Sequence, residues 1–478
     1  MDTLQDTDWD LVISGTGVPQ SLLALALSRR GLRILHLDRN PYYGQNEAAL
    51  TLNEAQEWAQ RHTCDNFSPF TQASVSTPAT DGKLGSSRAY ALALAPQFVY
   101  SWSQLVPALI SSQTHNHLEF QAVGSWFTLP KSGSSLLHVP NGREDIFQDE
   151  SLNLRTKRSL VKFLRYVADY EGQGDWSEKK GRSFVEELSE SFGLSDVSYS
   201  PLLALALSSE PAHDTTFGSI IPKIACHIRS MGAFGAGFAA VMPKWGGLAE
   251  LAQVACRACA VGGGVYVLNR GIESATQLST GQLSLELAGG DRVTTKWLVG
   301  SSADMPQELQ PQGETISTAD YAKSICIVSS PLPTLFPPTS DGVVPAGAVV
   351  YVETERAPVR ILAHSGEAGE CPSTQCVLYA STLAEDGFEV LEQAVQWLLA
   401  SLNEQAEVLW KVQYRHCGAT LAAPTFGDGV CLLPTVSPDV TFDDKVLDQV
   451  KAAWLRVSGE DEEMFMQLEA RQDNVAEG

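Results

Sequence analysis

The stretch DLVISGTGVPQSLLALALSRRGLRILHLDRNPYYG (Asp10–Gly44) decides the fold, because it reads as a strand, a turn, a helix and a second strand. Residues 10–14 and 33–37 are short apolar runs typical of buried strands, and residues 18–30 between them show the pattern of an apolar helix. This order predicts a βαβ unit with a parallel sheet, the arrangement on which many enzymes bind a dinucleotide.

The turn of this unit carries two of the three glycines of a dinucleotide fingerprint. Gly15 and Gly17 fit the G-x-G-x-x-G pattern, where they allow the tight turn and the close approach of a pyrophosphate. Gln20 stands where a third glycine would let the helix pack against the strand, and Asp38 closes the second strand where a ribose hydroxyl would be held. We favour a flavoprotein-like fold in which Gly15 and Gly17 remain as a vestigial nucleotide turn with no cofactor. The alternative is a flavin-dependent oxidase.

Length, charge and cysteine content narrow the class of protein. The chain has 478 residues and a formal net charge of -23, which predicts two domains and disfavours nucleic acid as a partner. The acidic start lacks the basic segment of a signal peptide, and no apolar run approaches the roughly 18 residues of a membrane span. Nine cysteines spread thinly over the chain indicate reduced thiols. We expect a cytoplasmic protein.

Metal ligands and catalytic groupings are sparse in the sequence. Cys256 and Cys259 form the only C-x-x-C pattern, and with no second pair they are more typical of structural thiols than of a metal site. His115 and His117 lie two residues apart without a third ligand at suitable spacing. We therefore predict no metal site and no catalytic residues.

Patterns along the chain predict a mixed α/β fold with an inserted all-helical domain. Residues 1–130 and 230–457 carry the strand and helix patterns of a flavoprotein-like α/β domain, and residues 131–229 show helical spacing with Gly and Pro at the breaks. Residues 458–478 contain seven acids against one Arg, which predicts a disordered, solvated tail.

Two segments of the α/β domain carry side chains suited to protein binding. In DRNPYYG the Asn40-Pro41 turn projects Tyr42 and Tyr43 at the carboxyl edge of the sheet, where tyrosine suits an interface. In the helix LAELAQVACRACA, Glu250 and Arg257 are seven residues apart and return to nearly the same face. These residues could grip a protein partner, or they could simply be solvated.

A third segment, LRTKRSLVKFLRYV, lies in the helical domain. This stretch combines an apolar stripe with basic side chains, and both could face a partner. The stripe is Leu160, Phe163, Leu164 and Val167, and the basic side chains are Arg155, Lys157, Arg158, Lys162 and Arg165. A basic cluster in so acidic a chain suits docking of an acidic partner, and a solvated face is an equal alternative.

The motifs LHLDRNPYYG and ELAQVACRACAVGGGVYVLNR together resemble the family of Rab GDP-dissociation inhibitors and Rab escort proteins. That family has a fold related to FAD-dependent oxidases but no redox activity. RAYALALAPQFVYSWSQLVPALISSQTHNHLEF and VPNGREDIFQDESLNLRTKRSLVKFLRYVADYE are more similar to the escort branch. The resemblance covers most of the chain up to the tail, and it implies that Gln20 belongs to a scaffold that lost its coenzyme.

The resemblance also implies partners and site residues. Tyr43, Glu250 and Arg257 match the family's platform for GDP-bound Rab GTPases, and MGAFGAGFAAVMPKWGG resembles its mobile effector loop. In the escort branch the helical domain receives the geranylgeranyl lipid and contacts the Rab geranylgeranyltransferase heterodimer, which makes Leu160, Phe163, Leu164 and Val167 candidates for that side. The implied function is an escort that presents Rabs for prenylation and delivers them to membranes. The alternative is an inhibitor that recycles prenylated Rabs.

Overall fold

The computed structural model describes residues 4–64, 69–78, 84–131, 135–140, 152–235, 237–309, 315–317, 319–339, 341–417 and 419–467. The helices of these residues are α1 (Val18–Leu27), α2 (Leu52–Arg61), α3 (Leu105–Ser111), α4 (Leu154–Ala168), α5 (Trp176–Lys179), α6 (Phe184–Phe192), α7 (Tyr199–Leu205), α8 (Phe217–Ser230), α9 (Leu248–Val261), α10 (Gly387–Ser401) and α11 (Lys445–Ser458).

The strands of the described residues are β1 (Thr7–Ser14), β2 (Ile34–Leu37), β3 (Ala49–Leu50), β4 (Phe70–Ser76), β5 (Leu92–Ala93), β6 (Val99–Tyr100), β7 (Phe120–Leu129), β8 (Leu137–His138), β9 (Ala240–Pro243), β10 (Val265–Val267), β11 (Ile272–Gln277), β12 (Leu283–Leu287), β13 (Arg292–Ser301), β14 (Thr315–Ser317), β15 (Tyr321–Val328), β16 (Gly347–Val352), β17 (Val359–Ser365), β18 (Cys376–Thr382), β19 (Val408–His416), β20 (Ala419–Leu421), β21 (Thr425–Gly427) and β22 (Val430–Leu433).

The predicted βαβ unit begins the first sheet. Strand β1 lies between β2 and β13 and runs parallel to both, with Val12 opposite Leu35 on one side and Leu298 on the other. Strand β10 adds in parallel beside β2, and β22 adds in parallel beside the end of β13. Strands β12 and β11 extend the sheet in antiparallel fashion. The sheet is therefore mixed, and strands from three distant parts of the chain share it.

Helix α1 is buried along its whole length because it lies between the first sheet and two other helices. Apolar side chains of α1, α9 and α11 form one core with Leu11 and Ile13 of β1. A Cβ added at Gly262, just after α9, would lie 2.0 Å from the carbonyl oxygen of Ser28. The ends of α1 and α9 thus approach so closely that only glycine fits between them.

The second sheet has the strand order β4-β19-β15-β18-β17-β16-β7-β9-β6, with β8 paired to β7. Its pairs are antiparallel except for β16 with β7, which is parallel. All eight residues of β15 are buried because both faces of the sheet are covered. Ile325 and Ile327 face a core shared with helices α4 to α8, which we call the helical segment. Cys326 and Val328 face helix α10 on the other side.

Helices α4 to α8 pack around aromatic side chains. The ring centroids of Phe163 and Phe192 lie 5.2 Å apart, and those of Phe192 and Phe217 lie 6.2 Å apart. Asn153 caps α4 by accepting a hydrogen bond from the Thr156 N–H at 2.9 Å. This helical core is continuous with the core beneath the second sheet. The helices and the second sheet therefore share one core.

The described part of the C-terminal tail packs on the chain, whereas the sequence predicted a solvated tail from residue 458. Met466 is buried, and the ring of Phe465 packs against Trp454 of α11 with centroids 5.6 Å apart. The prediction rested on the many acidic residues of the tail. Burial of the apolar side chains of Phe465 and Met466 stabilises the packed position of this segment in spite of those charges. Residues 468–478 lie outside the described residues.

Candidate functional site

The three residues predicted for Rab binding lie around helix α9. Tyr43 follows β2, and its ring packs against Tyr266 of β10 with centroids 6.3 Å apart. Tyr43 also lies near Cys256 of α9. Arg257 is the next residue on α9 and is exposed, and Glu250, two turns earlier, is half-buried. The structure therefore brings Tyr43, Glu250 and Arg257 to one surface, which we call the platform.

The platform combines both charge signs with partial burial. Burial raises the pKa of Glu250, and the positive charge of Arg257 acts in the opposite direction. Burial likewise raises the pKa of Tyr43. Gln253, one turn after Glu250, is exposed on the same helix. A partner's charged group that meets this surface interacts more strongly than in bulk water, because the platform carboxyl is already partly desolvated.

The backbone amides at the start of α1 are occupied by the chain itself. The Gly17 N–H donates to Oε1 of Gln45 at 3.1 Å, and the Val18 N–H donates to Oε2 of Glu47 at 3.1 Å. In a dinucleotide enzyme, amides at this position face a phosphate group. Here side-chain oxygens replace it.

Gln20, the residue in place of the third glycine, is part of the same arrangement. Its Nε2 lies 3.4 Å from Oδ2 of Asp304, and Nε2 of Gln45 donates to Oδ1 of Asp304 at 2.7 Å. Gly15 adopts a φ of +92°, and a Cβ there would lie 2.5 Å from Nε2 of Gln45. We call Gln20, Gln45, Glu47 and Asp304 the plug, because they fill the space in front of the vestigial turn.

Asp38 comes directly after β2, at the predicted position, but its oxygens already accept hydrogen bonds. The Thr16 N–H and hydroxyl donate to Oδ2 at 2.8 and 2.6 Å, and the Asn40 N–H donates to Oδ1 at 2.8 Å. Burial raises the pKa of Asp38 to about 6. The carboxyl thus closes the turn of the βαβ unit, and a ribose would have to displace these bonds.

The plug leaves no room for a dinucleotide. The cavity that remains, lined by Gly17, Gln20, Gln45 and Glu47 among others, measures about 20 Å³, close to the space of one water molecule. Burial raises the pKa of Glu47 to about 7 and also raises the pKa of Asp304. When these buried carboxyls ionise, their charge repels a pyrophosphate. The residues present therefore do not fit FAD.

The apolar stripe of α4 faces inward. Phe163 and Val167 are fully buried, Leu160 is nearly so, and Leu164 is partly buried against the same core. These four residues were predicted as candidates for the transferase and lipid side. Three of them form the packed face of the helix, and only Leu164 keeps some exposed surface. The outward face carries four exposed cations, which we call the basic stripe: Arg155, Arg158, Lys162 and Arg165.

An apolar groove of about 480 Å³ lies beside the platform helix. Leu109 of α3 lines one wall, and it belongs to the same buried core as Leu251 of α9. The other wall includes Phe234, four residues after α8 ends, and Val344. Phe234, Val344 and Ile110 are each more than two fifths exposed. The groove therefore presents exposed apolar surface to a partner.

Two further features concern metal-ligating side chains and long apolar helices among the described residues. Within them, no group of three or more His, Cys, Asp or Glu side chains could hold a metal ion. His115 and His117 lie in one short helical turn, and Cys256 and Cys259 are free and buried. Nor does the described part of the chain contain a helix long and apolar enough to cross a membrane.

Several features of the site escaped the sequence analysis. Gln45, Glu47 and Asp304 complete the plug, and Tyr266 supports Tyr43 from below. Gln20 carried a signal, because it is a polar residue inside an apolar helix. In the structure it is only 3% exposed, and a buried amide needs polar partners. Which partners it finds depends on segments far away in the chain.

Comparison with known proteins relates the chain to Rab-associated proteins. The family described as GDP dissociation inhibitor matches residues 5–344. Rab proteins geranylgeranyltransferase component A of Saccharomyces cerevisiae is 30% identical over 386 residues, which cover 78% of this chain and 61% of that protein. Rab escort protein 1 of Arabidopsis thaliana is 24% identical over 561 residues, covering 99% of this chain and 96% of that protein. The chain spans about three fifths of the length of the component A relatives from S. cerevisiae and Candida albicans.

Solved structures share the fold. Rab GDI from Plasmodium falciparum superposes with a TM-score of 0.68 at 19% identity, over 96% of this chain and 99% of that chain. Wild-type putrescine oxidase bound to putrescine superposes with a TM-score of 0.56 at 14% identity, over 95% and 100%. At these identities the likeness concerns the fold. It confirms the predicted class, mixed α/β sheets on an oxidase-type scaffold.

Proposed function

Because this chain belongs to the GDP dissociation inhibitor family, as its motifs predicted, we propose that it acts as a Rab escort protein. In this role it is a non-catalytic accessory component of Rab geranylgeranyltransferase. It binds a GDP-bound, unprenylated Rab, presents the Rab's C-terminal cysteines to the transferase heterodimer, and delivers the lipidated product to membranes. The observation that carries the proposal is the platform, where Tyr43 lies beside the helix of Glu250 and Arg257.

The platform grips the folded GTPase domain. Arg257 offers an exposed cation, Glu250 a half-buried carboxyl, and Tyr43 a half-buried ring with a polar tip. Arginine and tyrosine are enriched among residues that dominate protein interfaces. The switch loops of a GTPase are ordered by the γ-phosphate, so a surface shaped for the GDP form discriminates against the GTP form.

The apolar groove gives the Rab's flexible C-terminal segment a path. One wall of the groove shares a buried core with helix α9, and the other includes Phe234, four residues after α8 ends. An extended segment with apolar side chains would bury them against Phe234 and Ile110. Holding the tail in this way keeps its cysteines at high effective concentration near the transferase.

The helical segment serves the transferase and the lipid. Since Leu160, Phe163 and Val167 are buried, we assign docking of the transferase to the basic stripe on the outer face of the same helix. Four cations on one face of a helix attract an acidic surface and orient it before contact. Leu164, partly buried, is the member of the apolar stripe with surface left to offer. The nine free thiols suit a cytoplasmic location for this activity.

Two alternatives make different demands on the same fold. A GDP-dissociation inhibitor that recycles prenylated Rabs would use the platform and the lipid side but ignore the transferase. The family match described as GDP dissociation inhibitor supports it as the second candidate. A flavin-dependent oxidase would need the space that the plug occupies. A purified protein that releases stoichiometric flavin on denaturation would contradict the assignment of the plug.

A prenylation assay tests the proposal. Purified transferase, GDP-bound unmodified Rab and a geranylgeranyl donor are combined with and without this protein, and incorporation of lipid into Rab is measured. We expect incorporation to require the protein. If it binds Rab but never supports incorporation, the recycling inhibitor is the better assignment.

The platform is tested by affinity for GDP-bound Rab. Charge reversal in Arg257→Glu combined with Tyr43→Ala should weaken binding at least tenfold, a modest loss for two central interface residues. Arg292→Glu, an exposed arginine at the start of β13 and therefore at the opposite end of the parallel sheet, is the matched control. If the double variant binds GDP-bound Rab as tightly as wild type does, the platform is not the Rab-binding surface.

A further inference from the structure

Tyr266 lies beneath the platform and connects it to the sheet. It stands on β10 directly opposite His36 of β2, and the centroids of the two rings are 4.7 Å apart. Its other aromatic neighbour is Tyr43, at 6.3 Å and an interplanar angle of 54°. His36 is fully buried, while Tyr43 is half-buried. The Tyr266 ring is therefore the layer between the interior of the first sheet and the exposed platform.

The far end of Tyr266 is fixed by helix α9. Its hydroxyl is buried beside the thiols of Cys256 and Cys259, and burial is the main cause that raises the pKa of this hydroxyl well above its ordinary value. The chain reaches β10 through a glycine turn, where a Cβ at Gly264 would lie 2.6 Å from Sγ of Cys259. The turn and the helix thus enclose Tyr266 from two sides, and its ring lies beneath Tyr43.

We propose that Tyr266 is a positioning residue for the platform. Its ring, and not its hydroxyl, holds Tyr43 against α9 at the place from which Tyr43 meets a partner. Tyr266 does not touch the partner, and its effect on binding passes through Tyr43. This inference rests on the proposed function of the platform. An aromatic pair of this kind is worth roughly a two- to tenfold change in affinity.

A double-mutant cycle separates positioning from general destabilisation. We expect Tyr266→Leu to weaken binding of GDP-bound, unprenylated Rab about two- to tenfold, and Tyr266→Phe to leave it unchanged because the ring remains. In a Tyr43→Ala background, Tyr266→Leu should cause no further loss. The inference is overturned if Tyr266→Leu weakens binding by the same factor in both backgrounds. Tyr166→Leu is the matched control, since Tyr166 is a half-buried tyrosine that packs on an aromatic ring in the helical segment.

A second measurement needs no Rab. With 3-fluorotyrosine placed at position 43 of the full chain, the ¹⁹F resonance reports the environment of that ring. Wild type and Tyr266→Phe should give the same single line, and Tyr266→Leu a shifted or broadened one. A ¹⁹F resonance that is the same in Tyr266→Leu as in wild type would overturn the inference, even if Rab binds. If wild type binds no Rab, the proposed function fails, and the ¹⁹F spectra still decide whether Tyr266 positions Tyr43.

Discussion

Glu47 provides a direct test of how the plug is held in the fold. Its side chain is 4% exposed, and Oε2 accepts a hydrogen bond from the Val18 N–H at 3.1 Å. Burial is the main cause that raises its pKa from 4.5 to about 7; the charge of Asp304 adds to this, while the Val18 N–H and Lys323 oppose it. At about 1.4 kcal/mol per pKa unit, the difference corresponds to about 3 kcal/mol of unfolding free energy that varies with pH.

The direction of the effect follows from the raised pKa. The folded chain holds this proton more tightly than the unfolded chain does, so the stability that Glu47 contributes is complete below pH 4.5 and is lost as the pH rises through about 7. Glu47→Gln keeps an acceptor for the Val18 N–H but cannot ionise. We expect the variant to match wild type near pH 4.5 and to be more stable by up to about 3 kcal/mol near pH 8.

Urea unfolding followed by circular dichroism at several pH values between these limits measures the difference. Glu57→Gln, on the exposed side of α2, is the matched control and should differ from wild type by the same amount at every pH. Asp38 and Asp304, whose pKa values burial also raises, remain in the variant, so the pH dependence is reduced and not abolished. A difference between Glu47→Gln and wild type that does not change with pH would refute the reasoning.

Three further outcomes follow from the packing and the charges. Phe163→Ala should lower the free energy of unfolding by about 4 kcal/mol, because it empties the helical core; chemical denaturation measures this, and Rab affinity of the folded variant should stay unchanged. Gly262→Val should prevent the close approach of α9 to the Ser28 carbonyl and so lower the melting temperature or the yield of soluble protein. Gly263→Val should lower the melting temperature less, because Gly263 has open space around it, although its φ of +102° is unfavourable for valine. Arg158→Glu with Lys162→Glu should weaken binding to the transferase several-fold in an interaction assay while leaving Rab binding intact, and equal transferase affinity would exclude the basic stripe as its docking site.

The βαβ unit could be predicted because its signals are local. Apolar runs of four or five residues with glycines between strand and helix suffice to indicate β1, α1 and β2. Helix α1 ends at Leu27 and not at residue 30 as predicted. The chain then turns, and Gly31 adopts a φ of +70°. The positions of Tyr43, Glu250 and Arg257 on their elements follow from the same kind of pattern.

The plug could not be predicted, because its contacts are distant in sequence. Gln20 and Asp304 are separated by 284 residues, and no local pattern connects them. The stripe of α4 shows a related limit. Its spacing indicates a buried face, but only the packed fold shows that Phe192 and Phe217 cover it instead of a lipid. Asp38 lies where the strand pattern predicted it. The strand pattern does not predict that the N–H and hydroxyl of Thr16 would donate to its carboxylate.

The shared core of α1 and α11 has a consequence for synthesis on the ribosome. Val450 and Trp454 of α11 cover α1, which the ribosome makes some 430 residues earlier. At about 5–20 residues per second, roughly 20 to 90 s pass before α11 emerges. Throughout this interval the nascent chain exposes the apolar side of α1, which is the kind of surface that chaperones bind. A premature stop codon before α11 would leave that side permanently uncovered, so truncated chains should be degraded even though they contain every residue of the platform.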